Sequence, residues 1–105
     1  MKLVFSTIPQ SEAGVVARQL VTEQLVACVN ILPTVQSIYT WKGEICEEPE
    51  ALMLMKTTAD RVEALIRRLK ALHSYEVPEI ISVDIDENGS NPDYLAWVRE
   101  SVGRK

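Results

Sequence analysis

Ala51-Leu52-Met53-Leu54-Met55-Lys56-Thr57 is apolar at five consecutive positions before a lysine. A strand buried on one face alternates apolar and polar residues, whereas a strand buried on both faces reads as a continuous apolar run. The stretch is of the second kind and predicts a central strand covered on both surfaces. Leu3-Val4-Phe5-Ser6-Thr7-Ile8 has the same character and predicts a second inner strand, ended by Pro9.

Between these two strands, Ala13, Val16, Ala17, Leu20 and Val21 recur at helical spacing, Leu25 extends the stripe, and Ser11 is the expected N-cap. A β-rich stretch follows over residues 27–41, with Cys28, Val29, Ile31, Val35, Ile38, Tyr39 and Trp41. Pro33 inside it predicts an edge, a bulge or a break. Lys42-Gly43 supplies a two-residue turn, and the chain returns from Ile45 into the central strand, with a kink expected at Glu47-Glu48-Pro49.

Downstream, Thr57-Thr58-Ala59-Asp60 resembles a capping box with Asp in place of Glu. Val62, Leu65, Ile66, Leu69 and Leu72 form the buried stripe of a second helix, and Glu63 with Arg67 forms an exposed i,i+4 pair. Ile81, Val83 and Ile85 alternate with Ser82, Asp84 and Asp86, which predicts a strand with one buried and one wet face. Asn91-Pro92 opens a final helix bearing Tyr94, Leu95, Trp97 and Val98, and Gly103 ends it. The order β-α-β-β-α-β plus a terminal helix is the split βαβ arrangement: an α+β, ferredoxin-like fold, in one domain over residues 1–105.

The two helices can cover only one face of such a sheet, so the other face of the inner strands needs a second cover. The hairpin arms over 27–41 and 44–57 exceed the usual strand length of about 3–10 residues. At roughly 3.3 Å per residue each reaches on the order of 45 Å, against a diameter of roughly 33 Å for a compact chain of this size. The tip therefore overhangs, carrying Ile38, Tyr39 and Trp41 into solvent unless a second copy hides them. A homo-oligomer is expected. The alternative is a monomer in which Pro33 and Pro49 cut the arms into four short strands.

Fifteen acids against 11 bases give a net charge of −4, which disfavours nucleic acid or an anionic membrane as partner. RNA readers of this fold need exposed aromatics on the central strands and a basic face; Ala-Leu-Met-Leu-Met offers neither. No run approaches the roughly 20 apolar residues of a membrane span, and the first apolar run is too short for a signal peptide. The cytoplasm is the expected location. Cys28 and Cys46 are too few for a secreted disulfide framework, and the hairpin register holds them roughly 30 Å apart.

His73 is the single histidine and neighbours Tyr75, Glu76 and Glu79, a setting able to take a divalent cation or simply to cap a helix end. Cys28 reads first as apolar packing, as do Met53 and Met55. Lys56 closes an apolar strand, so a carboxylate partner such as Glu79 is expected. No nucleophile–base pair or glycine-rich phosphate loop is present, which argues against an enzyme.

Five segments together carry a family resemblance: Leu25-Val26-Ala27-Cys28-Val29-Asn30-Ile31-Leu32-Pro33, Ser37-Ile38-Tyr39-Thr40-Trp41-Lys42-Gly43-Glu44, Leu54-Met55-Lys56-Thr57-Thr58, His73-Ser74-Tyr75-Glu76-Val77-Pro78-Glu79-Ile80-Ile81 and Tyr94-Leu95-Ala96-Trp97. In order and spacing, over essentially the whole chain, they resemble the CutA divalent-cation tolerance family. The resemblance implies a stable homotrimer, a likeness to PII-type signalling proteins, and a link to tolerance of copper and other divalent cations. It implies no established catalysis. It gathers Tyr39, Trp41, Lys56, His73, Tyr75 and Glu79 at a cleft between subunits, and offers Cys28 and His73 as metal ligands. Ser6 stands where some copper-binding members carry cysteine, which removes the softest ligand, and Ser74 stands where proline usually follows the histidine. The expected function is a trimeric protein of divalent-metal, chiefly copper, tolerance or response with weak metal binding. The alternatives are a PII-like small-molecule sensor and a trimeric scaffold for a protein partner.

Overall fold

The computed structural model describes residues 1–103. Its elements are β1 (Lys2–Ile8), α1 (Gln10–Thr22), β2 (Cys28–Trp41), β3 (Glu44–Thr57), a short 3-10 turn (Ala59–Arg61), α2 (Val62–Leu72), β4 (Ile81–Asp84) and α3 (Pro92–Val102). The strands form one antiparallel sheet in the order β2-β3-β1-β4. This is the ferredoxin-like α+β arrangement with a terminal helix. β1 and β3 are the inner strands, as their two-sided apolar character requires.

Alternation decides which side chains meet the helices. Val4 and Ile8 of β1 join Ala51, Met53 and Met55 of β3 under Ala13, Val16 and Leu20 of α1 and Leu65 and Leu69 of α2. The opposite face carries Leu3, Phe5, Leu52 and Leu54, all only half-buried. α3 covers one end of that face by packing Val98 and Val102 on Ala27 and Met1. Ile81 and Val83 correct the expectation of a half-buried last strand, since both are exposed. Their ladder partners are Phe5 and Leu3, which fixes them on the face the two helices leave open.

β2 and β3 run for 14 residues each, and the long axis of the molecule is 45 Å against 28 and 22 Å. Lys42 (φ 51°) and Gly43 (φ 81°) turn the hairpin, the pairing of positive φ values that matches strand twist. β1 ends opposite Ala51, so residues 44–50 of β3 pair with β2 alone. Pro33 resolves as a bulge. Leu32 faces Leu52 and Val35 faces Glu50, leaving Pro33 and Thr34 against one β3 residue. The Thr34 hydroxyl accepts a 2.6 Å hydrogen bond from Gln10 Nε2, tying the bulge to the start of α1. Pro49 does not break β3; it lies where one edge of the strand is open, a setting that tolerates proline.

Two helix starts differ from expectation. α1 begins at Gln10, and Ser11 is not its cap, because the fixed φ of Pro9 (−54°) already sets the entry. The segment 57–60 forms no capping box, since no side chain caps the 3-10 turn. Thr57 is instead turned inward, donating from its hydroxyl to the Leu25 carbonyl at 2.7 Å. Asn91 caps α3 as expected, accepting from the Asp93 amide at 3.0 Å. Among the described residues no helix is long and apolar enough to cross a membrane.

Candidate functional site

Where β1 stops, the β2–β3 ribbon continues, and residues 73–77 fill part of the space beside it. His73 anchors them. Its ring is buried, with Nε2 2.8 Å from the Thr7 carbonyl and Nδ1 3.1 Å from the Tyr75 amide. The amide must donate to Nδ1, so Nε2–H donates to the carbonyl, and the ring is the neutral Nε2–H tautomer. The Tyr75 ring stacks at a tilt on His73, centroids 4.7 Å apart, and its hydroxyl donates to Glu50 Oε2 at 2.7 Å. Glu50 is only 7% exposed.

Further along the ribbon, the Tyr39 hydroxyl donates to Glu48. The bulge brings odd-numbered residues of distal β2 opposite even-numbered residues of β3, so Tyr39 lies across from Cys46 and Trp41 across from Glu44. Tyr39, Trp41, Cys46, Glu48 and Glu50 thus share one ribbon face. With Tyr75, Glu76 and Val77 they border a cleft of about 580 Å³, with Lys42 at its tip. The Lys42 ammonium stands 6.0 Å from the Trp41 ring centroid.

The hydrogen bond to Glu48 pushes the Tyr39 hydroxyl up to about 12. Burial, and then the Glu50 carboxylate, pushes Tyr75 up as well. Both phenols are therefore protonated donors at neutral pH. The cleft holds polar contacts fixed to aromatic walls.

Tyr39, Trp41 and Tyr75 line this cleft within one chain, and His73 holds the loop behind it. Lys56, Glu79 and Cys28 lie elsewhere. Lys56 sits opposite Cys28 and Leu3 on the open face. Its ammonium bonds the Asn30 side-chain oxygen and lies 4.0 Å from Cys28 Sγ. The partner is therefore Asn30 and not Glu79, because Asn30 is two residues along β2 on the same face. Glu79 precedes β4, at the other edge of the sheet. Cys28 also contacts Tyr94, whose hydroxyl is pushed up by burial and then by the thiol.

A metal site built from Cys28 and His73 does not fit one chain. Thr7, which holds His73, pairs with Leu52, whereas Cys28 pairs with Lys56. That is roughly 13 Å along the sheet before the change of strand is counted. Both His73 nitrogens are already engaged. Among the described residues no three His, Cys, Asp or Glu side chains are grouped to hold an ion. Ser6 is fully buried on the helix-facing side, so a thiol there would not face Cys28 either.

Glu48, Glu50 and Cys46 are among the cleft residues that the sequence reading left out. The signal was available: once the turn at 42–43 sets Cys46 opposite Tyr39, counting by twos reaches Glu48 and Glu50. Reading Glu47-Glu48-Pro49 as a kink hid it.

The sequence pattern of the family described as CutA1 divalent ion tolerance protein matches residues 2–101. The chain belongs to this family. The divalent-cation tolerance protein CutA of Thermus thermophilus is 48% identical over 103 residues, covering 97% of this chain and 98% of that protein. Human Protein CutA is 44% identical over 97 residues, 91% of this chain and 53% of the human one. The chain thus spans nearly all of the bacterial CutA relative but about half the length of the plant and animal relatives it matches. Among solved structures, the PII-like protein CutA from Nostoc in apo form superposes with a TM-score of 0.92 at 39% identity, covering 97% of each chain. The Thermus thermophilus CutA structure superposes with 0.92 at 47% identity, covering 98% of this chain and 100% of that one. CutA relatives are named from several compartments: rice and Arabidopsis proteins as chloroplastic, an Archaeoglobus protein as periplasmic.

Proposed function

We propose that the chain is a homotrimeric, PII-like binding protein that serves divalent-ion tolerance by responding to a small ligand at the ribbon cleft, and that it catalyses no reaction. One observation carries this reading. The cleft lies on a two-stranded ribbon whose other face exposes Ile38 and Ile45 at 63% and 76%. An isolated ribbon is marginal in water and its edges invite pairing. In a closed ring each ribbon would dock on the next copy, which places the ligand cleft next to a subunit contact and couples the two. The exposed Ile81 and Val83 offer apolar surface for the same assembly. The likeness to a PII-like CutA supports the responder role.

Sedimentation at micromolar concentration should give three times 11.8 kDa. A folded species of single-chain mass refutes the trimer. A thermal-shift screen of metabolites, with Tyr39→Ala and Trp41→Ala as controls, tests the cleft; a hit that both variants retain refutes it.

Direct metal binding is the second reading. It is favoured by the family's description and by the free Cys28 thiol, a soft donor. Copper or another divalent cation would be held weakly, at Cys28, or at His73 once its ring releases the Thr7 carbonyl. Metal content of the purified protein, compared with Cys28→Ser and His73→Ala, decides it: no bound metal, or no change in either variant, ends this reading. Both cysteines are free, which suits the reducing cytoplasm as the proposed location. A trimeric scaffold for a protein partner is the remaining alternative; it would show no ligand response.

A further inference from the structure

The chain has three asparagines, and the fold treats each differently. Asn30 lies inside β2 on a rung with Leu54, and its side-chain oxygen takes the Lys56 ammonium. Asn91 accepts from the Asp93 amide as the cap of α3, and Pro92 follows it with a nitrogen that bears no hydrogen. Asn88 is exposed in the turn between β4 and α3, and Gly89 follows it. Among the described residues its side-chain amide has no hydrogen-bond partner. Only its backbone N–H is engaged, donating to Asp86 Oδ1 at 3.1 Å.

Asparagine is chemically labile, because the backbone nitrogen of the next residue can attack its side-chain carbonyl carbon. That nitrogen must carry a hydrogen, stand uncrowded, and be free to swing toward Cγ. Pro92 fails the first condition. Ile31, β-branched and set in the β2–β3 ladder, fails the other two. Gly89 meets all three. It has no side chain and a permissive backbone. Its N–H is held by the Asp86 carbonyl at 3.2 Å, the long end of the normal range. The turn lies outside the helices and strands, where local opening costs least.

We infer that Asn88 is a self-modification site. Solvent hydroxide takes the Gly89 amide proton, and the Gly89 nitrogen bonds to Asn88 Cγ. The Cγ–Nδ2 bond breaks, and that nitrogen gains a proton and leaves as ammonia. Water then opens the five-membered imide. Opening at Cγ gives aspartate; opening at the backbone carbonyl gives isoaspartate, with one extra methylene in the main chain. That methylene falls inside a tight turn. The Ser90 amide reaches back to the Glu87 carbonyl at 3.4 Å and the Ser90 hydroxyl to the Asp86 carbonyl at 2.7 Å. Glu87 is bonded in turn to Arg99 of α3. Isoaspartate therefore loosens the entry to α3, whereas aspartate changes charge alone.

The intact protein is aged at neutral pH and physiological temperature, then digested and followed by mass spectrometry, with isoaspartate counted by enzymatic methylation. Asn88 should lose its amide at least tenfold faster than Asn30 or Asn91, and faster as pH rises. Gly89→Ala should slow the loss at least tenfold; its added Cβ would meet Asp86 Oδ2 at 2.8 Å, the free end of a side chain that can turn away. Equal loss at all three asparagines, or unchanged loss in Gly89→Ala, overturns the proposal. So does an Asn88 that stays intact in the folded protein while the chain held in urea converts. The isoaspartate fraction, separated by ion exchange, should also exchange its Ser90 and Leu95 amides several-fold faster than fresh protein, since the Leu95 amide makes the first bond of α3, to the Asn91 carbonyl. Asn88→Asp should exchange them like fresh protein. Equal exchange in all three would sink the loosening of α3.

Discussion

The two halves of β3 share one ladder with β2 and little else. In residues 51–57, Ala51, Met53, Met55 and Thr57 are completely buried, with β1 on the other side and two helices over them. In residues 44–49, only β2 is alongside, and Ile45 stands in solvent. The hydrogen bonds to β2 are of the same kind in both halves, so the ladder is not what distinguishes them. Apolar burial is, and a ladder without it is marginal. The inner half is held by two helices and β1; the outer half has β2 alone, and on the trimeric reading a neighbouring copy.

The sharpest test of that contrast is Met53→Ala, which should cost about 2–5 kcal/mol in a urea melt. A loss near zero would erase the difference between the halves. Ile45→Asp should act in the opposite way. It touches no core residue but should lower the sedimenting mass from three times 11.8 kDa to 11.8 kDa at micromolar concentration; an unchanged trimer would show that the ribbon is not docked. His73→Ala removes the link between the inner half and the cleft. Leaving the Tyr75 amide without its acceptor should cost about 1–3 kcal/mol and speed hydrogen exchange at Tyr75; if exchange there is unaltered, His73 does not hold the loop.

Smaller effects come from pH. Tyr39 titrates higher folded, at about 12, than its ordinary 10. Its contribution to stability is therefore intact below pH 10 and fades as pH rises through 12. Tyr39→Phe should flatten that alkaline limb, and phenolate absorbance should show late ionisation. Glu23 on the helix side behaves in the reverse sense. Its hydrogen bond from Arg68, with a further one from Gln19, holds it below the usual 4.5. That contribution is present above pH 4.5 and is lost as pH falls through the lower folded value. Glu23→Gln should slightly flatten the acid limb of the melting curve, the smallest change of the set because solvent still reaches this half-buried ion pair.

The same contrast explains what could be read from residue order. The inner strands announced themselves because two-sided burial leaves continuous apolar runs, and Lys42-Gly43 and Pro33 marked the turn and the irregularity through local backbone chemistry. Ile81 and Val83 showed that the last strand has an apolar face, but alternation cannot say whether that face meets the helices or looks away. Lys56 required a partner; which one depended on strand order, and Asn30 is 26 residues away in sequence. Residue types left a metal and a helix-cap role both open for His73, because they say nothing of the Thr7 carbonyl and Tyr75 amide that meet its ring. Tyr39, Trp41 and Tyr75 came from family resemblance, while Glu48 and Glu50 needed the register that the supposed kink obscured.

The two residues at the bulge have a consequence for how this architecture can change. Rung partners in the distal hairpin are counted back from the turn at 42–43, so Tyr39 meets Cys46 whatever happens at Pro33 and Thr34. A bulge bends its strand and adds twist, and this one is tied to Gln10. Pairing and aim are therefore written in separate places. Trimming or replacing residues 33–34 would swing the whole outer arm like a boom on a fixed mast, pointing it at a differently shaped neighbour while every cross-strand pair along it stays the same.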